Sequence, residues 1–215
     1  MNSTFKMHVK EGNACAWYDA RGRCSNGSVR ERVALTIKGV AGAGKTTVAT
    51  TLAEALRAEY IDADDLHSAA AIHKLAHGTP LTDQDRWPWL ERVRSHAASA
   101  ADRVAPAPYG VGVVVACSAL RRIYRDVLRA APASLRIVHV YLRVDPAELA
   151  VRLAQRQGHF MKCDMLESQL ATLEEPCHEC DTFTIVVPPG EDAASTMQHI
   201  LAALIGAGVV WRRFD

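Results

Sequence analysis

Apolar and polar positions along the chain fall into two alternating kinds of segment. Four short runs are dense in valine, isoleucine and leucine: VALTIK from Val33 to Lys38, VGVVVACS from Val111, LRIVHVYLRV from Leu135 and TFTIVVPP from Thr182. Runs of this length and branching predict buried strands, the last stopped by its prolines. Between them lie segments of helical period. After Gly44, residues Val48, Leu52 and Leu56 recur at four-residue spacing, and further helices are predicted at about 83–103, 119–130, 145–156, 164–173 and 191–205. Asp145-Pro146 reads as an N-cap with proline at N1, and Glu148 stands at capping-box spacing from Asp145. Strands alternating with helices predict an α/β fold of three layers, a parallel sheet covered by helices on both faces.

Composition narrows the class. The 215 residues suit one domain with a sizeable core, and 49% hydrophobic with 23% charged residues is ordinary for a globular protein. A net charge of +1 gives no electrostatic case for a nucleic-acid partner, and no apolar run approaches the roughly 18 residues needed to span a bilayer. Residues 1–31 are polar, lack a continuous apolar segment and carry no core periodicity. They are expected to be a disordered extension rather than a secretory signal, leaving 32–215 as the domain. Cys177 and Cys180 form one CxxC, but a structural zinc site needs a second such cluster. Free thiols in a reducing compartment, the cytoplasm, are the expectation.

The first chemistry is at GVAGAGKT, which fits G-x-x-x-x-G-K-[ST] through Gly39, Gly44, Lys45 and Thr46. A predicted strand precedes it and a predicted helix follows, the context that the motif requires. In such a loop, backbone N–H groups of Gly39, Val40, Ala41, Gly42, Ala43, Gly44, Lys45, Thr46 and Thr47 wrap an anion at a helix N-terminus. Lys45 adds a charge toward the β- and γ-phosphates of a nucleotide, and Thr46 a hydroxyl for Mg²⁺.

Just downstream, YIDADDLH places Asp62, Asp64, Asp65 and His67 after a short apolar lead-in. Ionised carboxylates at a strand end must be solvated, paired or metal-bound. In an extended strand end Asp62 and Asp64, alternating about Ala63, would point to one side, with Asp65 turning into the next helix. The Asn-Lys-x-Asp element of GTP switches is absent, and VGVVVACS ends in Cys117 and Ser118 rather than the aspartate of motor ATPases. Small-molecule kinases remain.

Four blocks carry a resemblance. YIDADDLH, GTPLTDQDRWPWL (Gly78 to Leu90), ACSALRRIYRDVLR (Ala116 to Arg129) and QGHFMKCDMLESQLATLEEP (Gln157 to Pro176) resemble, in order, the motifs of gluconokinases of the P-loop type. The likeness runs from about Val33 to the C-terminal helix. It implies a nucleoside-monophosphate-kinase-like fold, a five-stranded parallel sheet with a mobile lid at about 157–166. It also implies ATP and Mg²⁺ as cofactors, transfer of phosphate to the 6-hydroxyl of D-gluconate, and a homodimer. Ser68 stands where such proteins usually have proline, and Ala69 to Ala71 where Arg or Asn often stands, so no gluconate contact is assigned to residues 68–71.

A gluconate site needs a cation for the carboxylate, polar groups for the hydroxyls and a base near C6. Arg86 is the candidate cation, with a surface pair to Asp83 or Asp85 as its alternative. Trp87 and Trp89 read as packing residues. Ser118, where the third strand ends, and Arg121 are candidate ligand contacts, with Arg125 sharing the Arg121 face and Arg122 and Arg129 solvated. His67 is a candidate hydroxyl partner or else a structural histidine. Asp62 is assigned with Thr46 to the metal, and Asp64 to substrate and catalysis as the base. Arg152 and Arg156, four apart before the Gly158 break, are candidate catalytic cations, their alternative being a solvated helix face. His159, in the lid block, is taken as a substrate contact. Two rivals stay open: a kinase of another small polyol or sugar acid, shikimate-kinase-like, and a catalytically decayed nucleotide-binding module.

Overall fold

The computed structural model describes residues 6–10, 14–18, 32–104, 107, 109–155 and 163–210. Two strands, β1 (Lys6–Lys10) and β2 (Ala14–Tyr18), pair antiparallel in a small ribbon of their own. These ten residues belong to the segment 1–31 that the sequence reads as an extension.

The main sheet has five strands: β3 (Arg32–Lys38), β4 (Glu59–Asp62), β5 (Val111–Ala116), β6 (Leu135–Val144) and β7 (Thr182–Val187). Their spatial order is β4-β5-β3-β6-β7, and every pairing is parallel. Parallel neighbours require crossover connections, which the helices provide. These are α1 (Lys45–Leu56), α2 (Ala69–Ala76), α3 (Asp83–Arg103), α4 (Arg122–Arg129), α5 (Pro146–Ala154), α6 (Cys163–Thr172) and α7 (Ala193–Gly206). Side chains alternate across β3, so two cores form. Leu35 and Ile37 pack with Leu52 of α1 and with Ile200 and Leu204 of α7, while Ala34 packs with Leu90 and Val93 of α3 and Leu128 of α4. That is the predicted three-layer arrangement.

Local signals account for most helix starts. The Thr82 hydroxyl accepts the Asp85 N–H at 3.3 Å and Asp85 accepts the Thr82 N–H at 2.9 Å, a complete capping box that fixes the first turn of α3. Asp145 caps α5 through the Ala147 N–H at 2.8 Å, with Pro146 at N1. The expected return bond from Glu148 does not form. Its carboxylate instead accepts from Arg152 at 2.8 Å, one turn on, and from the Gly190 N–H at 3.4 Å. The helix at 69–76, opened by the Ser68 hydroxyl on the Ala71 N–H, lacks a counterpart among the predicted helices.

Candidate active site

The functional groups converge at the C-terminal ends of β3, β4 and β5, where the order of strands in the parallel sheet reverses and opens a crevice. A cleft of about 530 Å³ lies there. Its walls include Ala41, Gly42, Gly44, Lys45 and Thr46 of the phosphate loop, Asp62, Asp64 and His67 after β4, Arg86 and Trp89 of α3, Ser118 after β5, Tyr124 of α4 and Gln169 of α6.

The phosphate loop is shaped for an anion. Gly39, Gly42 and Gly44 have φ of 152°, 82° and 89°, backbone that side-chain-bearing residues rarely adopt. A Cβ added at Gly44 would meet no protein atom within 4 Å, so the space above the N-terminus of α1 is open cleft. Lys45 Nζ rests on the Val40 carbonyl at 3.1 Å, within its own loop.

The two acids reach the cleft by a route other than an extended strand end. β4 stops at Asp62, and Ala63–Leu66 form a single 3₁₀ turn. Asp62 caps that turn, its Oδ1 accepting the Asp64 N–H at 3.0 Å. Tyr60 donates its hydroxyl to Asp62 Oδ2 at 3.0 Å, so both oxygens of Asp62 are oriented. The buried Trp89 donates its indole N–H to the Ala63 carbonyl at 2.6 Å and anchors the turn from below. Asp65 is exposed, as expected.

Asp64 is 68% exposed to the open cleft, yet the crowding walls still push its pKa upward; Lys45 opposes the shift and Asp62 adds to it. His67 lies on the Trp89 indole with ring centroids 4.4 Å apart, and its Nε2 is 4.0 Å from Asp64. Burial lowers the His67 pKa and favours the neutral ring. Nδ1 is buried with no hydrogen-bond partner among the described residues. The ring is therefore both a packing element and a polar group on the cleft wall.

Across the cleft, Arg86 Nη1 donates to the Tyr124 hydroxyl at 3.3 Å and stands 3.9 Å from Asp83. Tyr124 donates to Asp83 at 2.6 Å, and Asp83 also takes Arg121 at 2.7 Å. Arg86 thus lines the cleft while Tyr124 and Asp83 brace it from behind.

The sequence matches follow this geometry. The "probable gluconokinase" of Schizosaccharomyces pombe is 45% identical over 159 residues, covering 72% of this chain and 79% of the relative. The gluconokinase of Gluconobacter oxydans is 44% identical over 142 residues, 66% of this chain and 75% of that protein. The chain belongs to the gluconokinase family. A crystal structure of a gluconokinase from Sinorhizobium meliloti superposes with a TM-score of 0.68 at 36% identity, covering 81% of this chain and 93% of that one. Residues 35–176 also match the AAA domain family.

Several residues of this gluconokinase-family chain lie elsewhere than the sequence suggested. Arg121 does not line the cleft; it is held on the flank by Asp83 and by Glu174 at 3.2 Å. Arg125 is fully buried and Arg129 is not solvated: both donate to Glu179, Arg125 through Nε at 2.9 Å and Arg129 through Nη2 at 2.6 Å. Arg152 is occupied by Glu148 and is absent from the cleft wall. Arg156, His159 and most of the expected lid lie outside the described residues. Tyr60, Tyr124 and Gln169 were not foreseen. Each acts through a partner distant in sequence or hidden by the local pattern, and Gln169 sits inside a recognised block without a chemical signature of its own.

The donor set fits Mg²⁺. Thr46 and Asp62, hard oxygen donors, line the same cleft beside Lys45, and each oxygen of Asp62 accepts one hydrogen bond and keeps further acceptor capacity.

Proposed function

We propose that this protein transfers the γ-phosphoryl group of ATP to the 6-hydroxyl of D-gluconate, giving 6-phospho-D-gluconate and ADP. The observation that carries the reading is one cleft shared by a phosphate loop with Lys45, an acid with a raised pKa, Asp64, and a braced cation, Arg86. The loop amides other than that of Ala41, which is taken by Gln169, act with Lys45 to bind and neutralise the β- and γ-phosphates. Arg86 takes the gluconate carboxylate, and His67 and Ser118 take hydroxyls along the chain. Asp64 accepts the proton of the 6-hydroxyl as its oxygen forms the new bond to phosphorus. The bond from phosphorus to the β–γ bridging oxygen breaks, and ADP leaves with that electron pair. Thr46 directly, and Asp62 through metal-bound water, would hold Mg²⁺, which supplies charge neutralisation at the phosphates.

The lid arginines Arg152 and Arg156, with His159, are proposed to complete the site when substrates are bound. Arg121 acts as a brace for Asp83 rather than as a ligand. No described helix is long and apolar enough to cross a membrane. We further propose a cytoplasmic enzyme that feeds the pentose phosphate pathway and acts as a homodimer; the net charge of +1 offers no electrostatic case for a nucleic-acid partner.

A coupled ADP-release assay tests the reading. ADP release should require D-gluconate and Mg²⁺ and remain near background with shikimate or a nucleoside monophosphate. Comparable turnover on either rival acceptor, or none on gluconate, overturns it.

A further inference from the structure

The crown of the phosphate loop is held from outside by one side chain. The Ala41 N–H donates to Gln169 Oε1 at 2.7 Å, across 128 positions of sequence. On its other side the loop rests on α5, where a Cβ at Gly42 would lie 3.1 Å from Leu153 Cγ and 3.4 Å from Leu149 Cδ2. The loop is therefore clamped between two helices.

α6 cannot easily carry Gln169 away. Leu166 is buried, and Leu170 and Leu173 pack against the core shared with α1. The segment leaving α6 is tied to the loop between β5 and α4: the Glu174 N–H donates to the Leu120 carbonyl at 3.0 Å, and the Glu174 carboxylate accepts the Arg122 N–H at 2.6 Å. That loop carries Ser118 into the cleft. One short helix thus links the phosphate-binding loop to the loop presenting polar groups to the acceptor.

We infer that Gln169 is a positioning residue for phosphoryl transfer: its side-chain carbonyl fixes the crown of the phosphate loop, and through α6 sets it against the acceptor loop. An uncharged amide suits this place. It offers an acceptor to the Ala41 N–H without adding negative charge beside a triphosphate, which a glutamate would do. The inference rests on the kinase reading above, but nucleotide binding can be measured without an acceptor, so the two can fail separately.

The test compares Gln169→Leu, Gln169→Asn and Gln169→Glu with the parent protein. Titration with Mg·ADP by calorimetry, gluconate binding without nucleotide and steady-state kinetics are read together. Gln169→Leu should weaken Mg·ADP binding about 3- to 10-fold, the scale of one neutral hydrogen bond. It should raise KM for ATP and lower kcat, and leave gluconate binding unchanged. Gln169→Asn, too short to reach, should behave like leucine, and Gln169→Glu should bind nucleotide worse than either. Tighter nucleotide binding in Gln169→Leu would mean that the glutamine competes with phosphate, and would overturn the inference. Loss of gluconate affinity at constant nucleotide affinity would make it a substrate contact, and also overturn it. Amide hydrogen exchange on the unaltered protein needs no variant to fold. The Ala41 amide should be protected with and without Mg·ADP, and free exchange without nucleotide would refute the strut.

Discussion

Asp62 Oδ1 accepts the backbone N–H of Asp64 at 3.0 Å, so the two cleft acids form one mechanical unit. The roles proposed for them still separate. Asp64→Asn should lower kcat by about 10²–10⁴-fold, the usual cost of a lost general base, while both substrates still bind. Asp62→Asn should mainly raise the Mg²⁺ concentration needed, with partial rescue at high metal. Rescue of the Asp64 variant and not the Asp62 variant would reverse the assignments.

The pH profile follows from the same pair. A base whose pKa is raised loses activity at a higher pH than an ordinary carboxylate as the solution is acidified. Asp62 contributes to that rise as a neighbouring negative charge. In Asp62→Asn, assayed at saturating Mg²⁺, the acid limb of kcat should therefore move to lower pH. An unmoved limb would mean that another group titrates.

Arg86→Ala should raise KM for gluconate far more than KM for ATP. Losing a hydrogen bond to a charged group costs about 1.5–3 kcal/mol, or roughly 10- to 150-fold in affinity. Equal effects on both KM values would identify Arg86 as a brace for Tyr124 and Asp83 only.

Arg125 and Glu179 should behave as a structural pair that shapes the acceptor loop. Arg125 is fully buried, Glu179 is 4% exposed, and Arg125 Nη1 also donates to the Leu120 carbonyl at 2.9 Å. Burial pushes Glu179 up, but hydrogen bonds from Arg125 and Arg129 outweigh it and hold its pKa down to about 2. Its contribution to stability is therefore full above pH 4.5, the ordinary glutamate value, and is lost as pH falls toward about 2. Breaking a buried pair from one side costs about 3–5 kcal/mol. Glu179→Gln should lower Tm by about 10 °C on that scale and raise KM for gluconate. A change within about 1 °C would show that the buried arginines find other partners.

Lys38 should destabilise the protein near neutral pH. It is 1% exposed at the end of β3, and Nζ has no hydrogen-bond partner among the described residues, lying 5.3 Å from the Tyr141 ring centroid. Burial, with Arg125 adding repulsion, lowers its pKa from 10.5 to about 7. The folded state then binds fewer protons than the unfolded chain between those values. The penalty is complete below about pH 7 and relieved as pH rises toward 10.5. Lys38→Met should raise stability at pH 6 by about 1–4 kcal/mol and flatten this rise in urea titrations. A slope persisting between pH 7 and 10.5 would place the titration in another group; the buried His139, whose pKa lies well below 6.5, acts only below that window.

Much of this protein is decided locally, and that part was legible in the chain. A valine-rich run cannot be solvated, so β5 and β6 appear where the apolar pattern places them. The phosphate loop follows from its glycines and flanking elements, because φ near +85° at Gly42 and Gly44 excludes most other residues. Lys45, Thr46, Asp62, Asp64, His67, Arg86 and Ser118 all line the cleft because each sits at or just beyond an element end on one edge of the sheet.

Tertiary structure decided which charges face the cleft and which face each other. Arg86 and Arg121 look alike in sequence. Arg121 meets Asp83 and Glu174, 38 and 53 residues away, and Arg86 keeps an edge on the cleft. Helical spacing placed Arg125 on a face but said nothing of Glu179, which arrives from the loop before β7 and turns that face inward. Asp62 and Asp64 were expected side by side on an extended strand. Trp89, reaching from α3 to the Ala63 carbonyl, instead anchors a 3₁₀ turn that Asp62 caps. Hydrogen-bond partners distant in sequence leave no periodic trace, so their geometry exists only once the chain has packed.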